Sequence, residues 1–400
     1  MGVSMNAAVS DKARDSSAVP RKVMILTNIL SPYRIPLFEA LASQSDIELD
    51  VVLLAEQEAN RQWRVQMANP SFSCRVLPGV HGFVARRELH LHLNWGVRRA
   101  IRRTHPDVLI VSGYDNLAYW LALLWSRVYG IPLVLWFESS LLSAKHRRGI
   151  IAGAKRFFVR RADAYVAFGT KAAECLMALG ANLKTVFTGP NTVNMEWYRD
   201  RSTEVRQGPS FPNLRSSYPE VMLLYVGQLI ERKNLTRLLD ALGRLADPTI
   251  GLFLVGSGPM EPELRALCHS HGVRNVFFEG FKQQAELLQY YALADALVLP
   301  STTEVWGLVV NEALASGLYV LCSNRAGAAY DLIKEGWNGR TFDPYNVDQL
   351  ADLIRETKDQ IQEIRERRDA ISEHACREFS IERSAKAFLD AIRAVMEERT

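Results

Sequence analysis

Glu304 and Glu312 are the residues whose type and spacing point most directly to chemistry. They stand eight positions apart in Pro300-Ser301-Thr302-Thr303-Glu304-Val305-Trp306-Gly307-Leu308-Val309-Val310-Asn311-Glu312-Ala313. That spacing is a little over two helical turns, so both carboxylates can face one crevice. The apolar run Ala296-Leu297-Val298-Leu299 ahead of them reads as a buried parallel strand, and a helix pattern follows that ends at Gly317. A strand that turns into a helix puts its loop at the carboxyl edge of a sheet, where open α/β folds bind ligands. The helix start adds free backbone N–H groups and the positive end of a dipole. Two acids beside such an anion-attracting point suit a ligand with both hydroxyls and phosphates, as a nucleotide sugar has.

Four more loops follow predicted strands. Gly227-Gln228-Leu229-Ile230-Glu231-Arg232-Lys233-Asn234 places Arg232 and Lys233 where a diphosphate would need countercharge, or forms an exposed basic turn. Gly256-Ser257-Gly258-Pro259 begins like a dinucleotide fingerprint, but Glu261 stands where the third glycine belongs, so a tight turn is enough to explain it. Thr27-Asn28-Ile29-Leu30-Ser31-Pro32-Tyr33-Arg34 is a polar entry to a helix, facing phosphates or acceptor, or else an ordinary connection. Glu138, in Trp136-Phe137-Glu138-Ser139-Ser140, emerges from apolar surroundings that would raise its pKa toward acid/base work; a salt-bridged structural acid is the alternative.

Positioning these loops takes alternating strands and helices. Val23–Leu26, Leu49–Leu54, Asp107–Val111, Leu133–Phe137, Ala164–Phe168 and Thr185–Thr188 read as strands with helices such as Ile35–Ala42 and Ala118–Val128 between them. After a break the alternation restarts with Val221–Val226, Gly251–Val255, Val276–Glu279, Ala296–Leu299 and Tyr319–Cys322. The expected class is α/β: two Rossmann-like, doubly wound parallel-sheet domains facing a central cleft. The expected division is a disordered tail at 1–20, one α/β domain at 21–195, a linker at 196–219, a second α/β domain at 220–378 and a helical segment at 379–400. Four hundred residues exceed one ordinary core and fit two domains.

Five scattered cysteines without paired spacing read as reduced thiols of a cytoplasmic protein. The polar first 20 residues carry no secretory signal, and Leu117–Phe137 is too interrupted to span a membrane. Residues 21–200 hold 23 Lys/Arg against 14 Asp/Glu, whereas 201–400 hold 23 against 28. The excess gathers at Arg86-Arg87, Arg98-Arg99 and Arg102-Arg103, and again at Lys145, Arg147-Arg148, Lys155-Arg156 and Arg160-Arg161, where Ile150-Ile151 and Phe157-Phe158 interleave. This is either a solvated helix face or a basic amphipathic surface for the anionic inner face of a membrane. Nucleic acid is disfavoured, since no binding module is present. Cys268-His269-Ser270-His271 lacks the spacing for a metal site, so none is expected, and His81, His90, His92, His105 and His146 show no shared site.

With these residues placed, the chain resembles the GT-B glycosyltransferases, specifically the retaining family 4 group. The resemblance runs from about Val23 to Glu398 and is most specific from Tyr225 to Phe342. It is carried by the Glu304/Glu312 pair (an E-x7-E signature), Val226-Gly227 through Lys233, Leu254 to Pro259, Gly280-Phe281 and Gly336-Trp337-Asn338-Gly339. It implies that the domain at 21–195 is the acceptor side, that the domain at 220–378 binds the nucleotide sugar, and that a C-terminal helix at 379–400 packs back on the first domain. Within the second domain, Glu312 would bind the ribose hydroxyls. Glu304 would contact the transferred sugar, helped by the backbone of Val305, Trp306, Gly307 and Leu308. Lys233 would hold the diphosphate beside Gly227, Gln228 and Gly256. Gln228 replaces the family's usual Arg, so Arg232 would substitute, and Glu138 stands where many members carry His. Asn191, in Gly189-Pro190-Asn191-Thr192, matches the residue that ends the first domain near the cleft.

The implied activity is retaining, metal-independent hexosyl transfer (EC 2.4) from a nucleoside-diphosphate sugar to a hydroxyl acceptor, with no cofactor. The acceptor would be a lipid-linked or saccharide precursor of a surface polysaccharide. A nucleotide-sugar epimerase on the same scaffold and a non-catalytic nucleotide-sugar binder are the alternatives.

Overall fold

The computed structural model describes residues 19–58, 69–84, 89–140 and 149–397. Most of the expected tail, the basic residues Arg86, Arg87, Lys145, Arg147 and Arg148, and His146 lie outside the described residues.

The apolar runs of the first half become β1 (Arg21–Thr27), β2 (Ile47–Leu53), β3 (Ser73–Val76), β4 (Gly79–Val84), β5 (Leu89–Asn94), β6 (Val108–Val111), β7 (Leu133–Phe137), β8 (Ala164–Phe168) and β9 (Val186–Gly189). All but β4 and β5 join one parallel sheet in the order β3-β2-β1-β6-β7-β8-β9; β4 and β5 pair as an antiparallel hairpin. The second half supplies β10 (Val221–Val226), β11 (Ile250–Val255), β12 (Val276–Gly280), β13 (Ala296–Leu299), β14 (Tyr319–Ser323) and β15 (Gly339–Phe342), ordered β12-β11-β10-β13-β14-β15. The expected pair of doubly wound α/β domains is therefore what the chain forms. Each order reverses once, between β1 and β6 and between β10 and β13, and such a reversal opens a crevice at the carboxyl edge.

Every residue of β6, β7, β8, β13 and β14 is buried, as strands covered on both faces must be. One face of the first sheet packs on Ile35–Ala42 and on the last helix, Ile381–Glu397, whose Phe388 meets Trp136 edge to face at 5.3 Å. The chain thus ends on the domain where it began.

The segment expected as an irregular linker is mostly helical. Met195–Gln207 forms a helix whose Asn194 side chain caps it by accepting from the Trp197 N–H at 3.0 Å. Met195 and Tyr198 enter the core of the second domain beside Leu299 and Val310. Its narrow apolar face and otherwise charged sequence disguised it. Burial lowers the Arg206 guanidinium to about 9, and it donates to the carbonyls of Tyr291, Ala292 and Ser316. A short helix, Phe211–Ser216, completes the stretch. The chain passes between the domains near Thr192 and again near Phe379, and the Thr192 hydroxyl donates to the Phe379 carbonyl.

Candidate active site

The loops after β10 and β13 flank the reversal in the second sheet, and they are stitched together. The Thr302 N–H donates to the Arg232 carbonyl at 2.9 Å, and the buried Asn234 side chain donates to the Pro300 and Pro344 carbonyls at 3.0 and 2.8 Å. This seats Glu304 over the basic turn: Lys233 Nζ donates to its carboxylate, and an Arg232 guanidinium nitrogen lies 3.8 Å away. Burial alone would raise the Glu304 pKa, but the Lys233 and Arg232 charges and the Val305 backbone outweigh it and hold it below the usual range.

Next along the chain, Val305 is exposed and Trp306 buried. The Trp306 indole N–H donates to the Asn311 side chain at 2.9 Å. Gly307 has φ of 99°, and a Cβ there would lie 2.8 Å from Leu299, so the turn from β13 into the helix Leu308–Ala315 depends on glycine. No side chain caps that helix start. Glu312 sits one turn before its end, and the Tyr291 hydroxyl donates to its carboxylate. Burial raises its pKa to about 7, against the pull of hydrogen bonds from Tyr291 and Tyr198. The two acids are therefore unlike: Glu304 is held ionised, while Glu312 titrates near neutrality.

Gly227 and Gly256 mark where two neighbouring loops touch. A Cβ on Gly256 would fall 1.8 Å from the Gly227 carbonyl oxygen. The partial fingerprint is accounted for by this backbone contact. The Gln228 carbonyl accepts from the buried Tyr225 hydroxyl at 2.8 Å, which fixes the turn that carries it.

Across the gap, the loop after β1 is packed rather than open. Ser31 is buried and its carbonyl accepts from the Arg34 N–H at 2.9 Å; Pro32 and Tyr33 complete the turn, with Tyr33 packed against the second domain's core. Arg34 is itself buried, 4.6 Å from the Trp136 ring centre and 4.8 Å from that of Phe168. It donates to the Glu138 carboxylate and, at 2.9 Å, to the Asn191 side chain. Of the two readings of Glu138, this arrangement displays the ion pair.

The domains meet at named contacts. The Asn311 side chain donates to the Asn191 carbonyl at 3.1 Å. The Gly169 turn lies so close to Trp306 that a Cβ on it would sit 2.4 Å from the indole ring. Thr170 beside it donates to Asp331 of the second domain.

Several site residues escaped the sequence reading. Tyr198 and Tyr291 come from distant helices, and no local pattern ties them to Glu312. Glu58, His90 and His92 gather at the carboxyl edge of the first sheet: His92 Nε2 lies 3.6 Å and His90 Nε2 3.7 Å from the Glu58 carboxylate. The alternation in Leu89-His90-Leu91-His92-Leu93 was the available signal, since period two puts both imidazoles on one face.

Residues 36–191 match the family model of the glycosyl transferase 4-like domain, and residues 210–378 match that of glycosyl transferases group 1. Sulfoquinovosyl transferase SQD2 of Arabidopsis thaliana is 30% identical over 280 residues, covering 67% of this chain and 52% of that protein. A glycogen synthase of Mycobacterium tuberculosis is 29% identical over 264 residues, covering 64% and 61%. The chain spans from about a third to three-fifths of the length of the curated relatives it matches. In fold it is similar to HepE of Anabaena in complex with UDP, with a TM-score of 0.71 at 18% identity over 93% of this chain and 100% of that one. With one half matching each model, and two facing doubly wound domains, the chain belongs to the family 4-like glycosyltransferases of the GT-B fold.

Proposed function

We propose that the chain transfers a hexosyl group from a uridine-diphosphate sugar to a hydroxyl acceptor borne on a lipid, with retention at the anomeric carbon. The observation that carries this reading is Glu304, kept ionised by Lys233 and Arg232 at the reversal of the second sheet. Glu304 accepts from hydroxyls of the transferred sugar, and Glu312 accepts from the ribose. The bond between the anomeric carbon and the diphosphate oxygen breaks, and its electron pair stays on the diphosphate. Lys233, Arg232 and the start of Leu308–Ala315 offset that charge, doing without a divalent ion what such an ion does elsewhere. The acceptor oxygen bonds to the anomeric carbon, and its proton is released to the diphosphate. The UDP donor is supported by a neighbour in fold, HepE, whose structures are in complex with UDP and with UDP-glucose.

The lipid-borne acceptor is supported by the outer surface of the first domain. Ile150 is 92% exposed, with Ile151 and Phe157 open beside it and the Arg161 guanidinium over the Phe157 ring. Leu117, Leu124 and Val128 are open on a neighbouring helix, and Val80, Leu91, Leu93 and Trp95 on the hairpin. Apolar side chains among arginines suit an anionic lipid surface. Among the described residues no helix is long and apolar enough to cross a membrane.

A thermal-shift panel of UDP-, GDP- and TDP-sugars tests the donor, since binding raises apparent stability by mass action. UDP-sugars should raise Tm, and transfer should survive EDTA. A new sugar stereoisomer from donor alone would replace transfer by epimerisation. Failure to float with anionic vesicles at low salt would remove the lipid-surface part.

A further inference from the structure

Glu312 is an acid held without a cation. Glu304 has Lys233 and Arg232 beside it, whereas among the described residues no Lys or Arg pairs with Glu312. Its carboxylate is half-buried, and the groups that meet it are two phenols, those of Tyr291 and Tyr198. Both rings are buried, and they meet edge to face at 5.8 Å. Tyr198 comes from Met195–Gln207, the helix that follows the first passage between the domains, and Tyr291 from the helix Gln284–Leu293. Met195–Gln207 packs on both Gln284–Leu293 and Leu308–Ala315, which brings the two hydroxyls to one place.

The direction of each proton follows from its partners. Gln284 Nε2 donates to the Tyr198 hydroxyl at 3.2 Å, so that oxygen is already an acceptor and its own proton goes to Glu312. A carboxylate accepts at about four lone-pair positions. The tyrosines stand on its buried side and occupy two, which fixes the plane of the group. The remainder, on the open side, suits two neighbouring hydroxyls such as a ribose presents. Two phenols alone would be satisfied as well by an uncharged amide carbonyl, without the cost of burying a charge. A carboxylate at this point gains only if its open side accepts from a ligand. Each phenol proton stabilises the ionised form and works against burial, and Glu312 consequently titrates at about 7. The two tyrosines are the titratable groups that bear on it, and both stay protonated in that range because burial raises their own pKa.

We propose that Tyr198 and Tyr291 are positioning residues for the donor, favouring the ionised Glu312 and aiming it at the ribose, so that the segment linking the domains forms part of the nucleotide site. This rests on the donor reading above. It adds which groups orient Glu312, and it makes donor affinity depend on pH.

Calorimetric titration of the full chain with UDP-glucose from pH 6 to 8.5 tests it in wild type, Tyr198→Phe and Tyr291→Phe. In parallel, the Glu312 carboxyl is followed by carbon-13 NMR in glutamate-labelled protein and assigned with Glu312→Gln. Each phenylalanine variant keeps its ring and loses one proton donor. Wild-type affinity should rise with pH and level off on the alkaline side. In each variant the Glu312 midpoint should move up by about one pH unit, as the loss of a hydrogen bond to a charged group predicts. Affinity should then fall about fivefold at pH 7 and return to within about twofold of wild type at pH 8.5. Damage to the site would instead weaken binding alike at every pH. Equal losses at pH 7 and 8.5 in both variants, wild-type affinity that ignores pH, or Glu312 midpoints that stay in place would overturn the proposal. A wild type that binds no UDP-glucose at any pH would strike the donor reading, and the NMR midpoints would then decide alone whether the tyrosines govern Glu312.

Discussion

The Asp331 carboxylate caps a helix of the other domain. The Thr170 backbone N–H donates to both of its oxygens at 3.1 Å and the Thr170 hydroxyl to one at 2.6 Å, at the first turn of the helix Thr170–Leu179. A carboxylate at a helix start is favoured by the unpaired amides and the dipole. Here it also ties the two domains. Asp331→Ala should cost about 1 kcal/mol of stability and let the gap widen. Small-angle scattering should show a larger radius of gyration for the variant; an unchanged profile would mean that the remaining contacts hold the domains alone.

Lys233 has two tasks, and Lys233→Ala removes both. The transfer rate should fall on the order of 10²–10³ through lost charge stabilisation. Glu304, whose burial would then be offset only by Arg232 and the Val305 backbone, should gain a higher pKa, moving the acid limb of the pH–rate profile upward. A profile that keeps its position would show that Lys233 does not govern Glu304.

Glu312 opposes stability to binding. Its folded pKa, about 7, stands above its ordinary value of 4.5. Between those values the folded chain keeps a proton that the unfolded chain has released, so stability falls as pH rises through this window and the loss is complete above it. The shift corresponds to about 3 kcal/mol. Glu312→Gln should therefore melt higher than wild type at pH 8, by roughly 3–10 °C, with no such gain near pH 4. The same variant should bind UDP more weakly. A variant that melts lower at pH 8 would refute the balance of burial and hydrogen bonding described here.

Glu138 is expected to act by positioning Arg34. Arg34→Ala should destabilise by roughly 3 kcal/mol, the low end for a broken buried pair because Glu138 retains contact with water. In Arg34→Ala/Glu138→Ala the costs should be clearly less than additive. Glu138→Gln should lower Tm while the rate falls less than tenfold. A rate loss of a thousandfold at unchanged Tm would make Glu138 an acid/base group instead.

Much of this arrangement is legible in the sequence for one reason: buried parallel strands are written as unbroken apolar runs. Val221–Val226 and Ala296–Leu299 announce themselves, and the loops that follow them carry Lys233 and Glu304, so residues 71 positions apart meet. β15, which reads Gly-Arg-Thr-Phe, has no such run and was not foreseen. The helix Met195–Gln207 is hidden because few of its residues are apolar, and the hairpin because Leu91 and Leu93 face outward. The partners of Glu312 and Glu138 are set by packing between separate helices and strands, which local pattern does not encode.

Thr192 and Phe379 mark the two passages of the chain between the domains, and they are bonded to each other. Two covalent connections side by side act as a single pivot. The lobes can swing about that line, but sliding past one another would stretch one connection against the other. Any opening of the gap is thereby concentrated at this one seam.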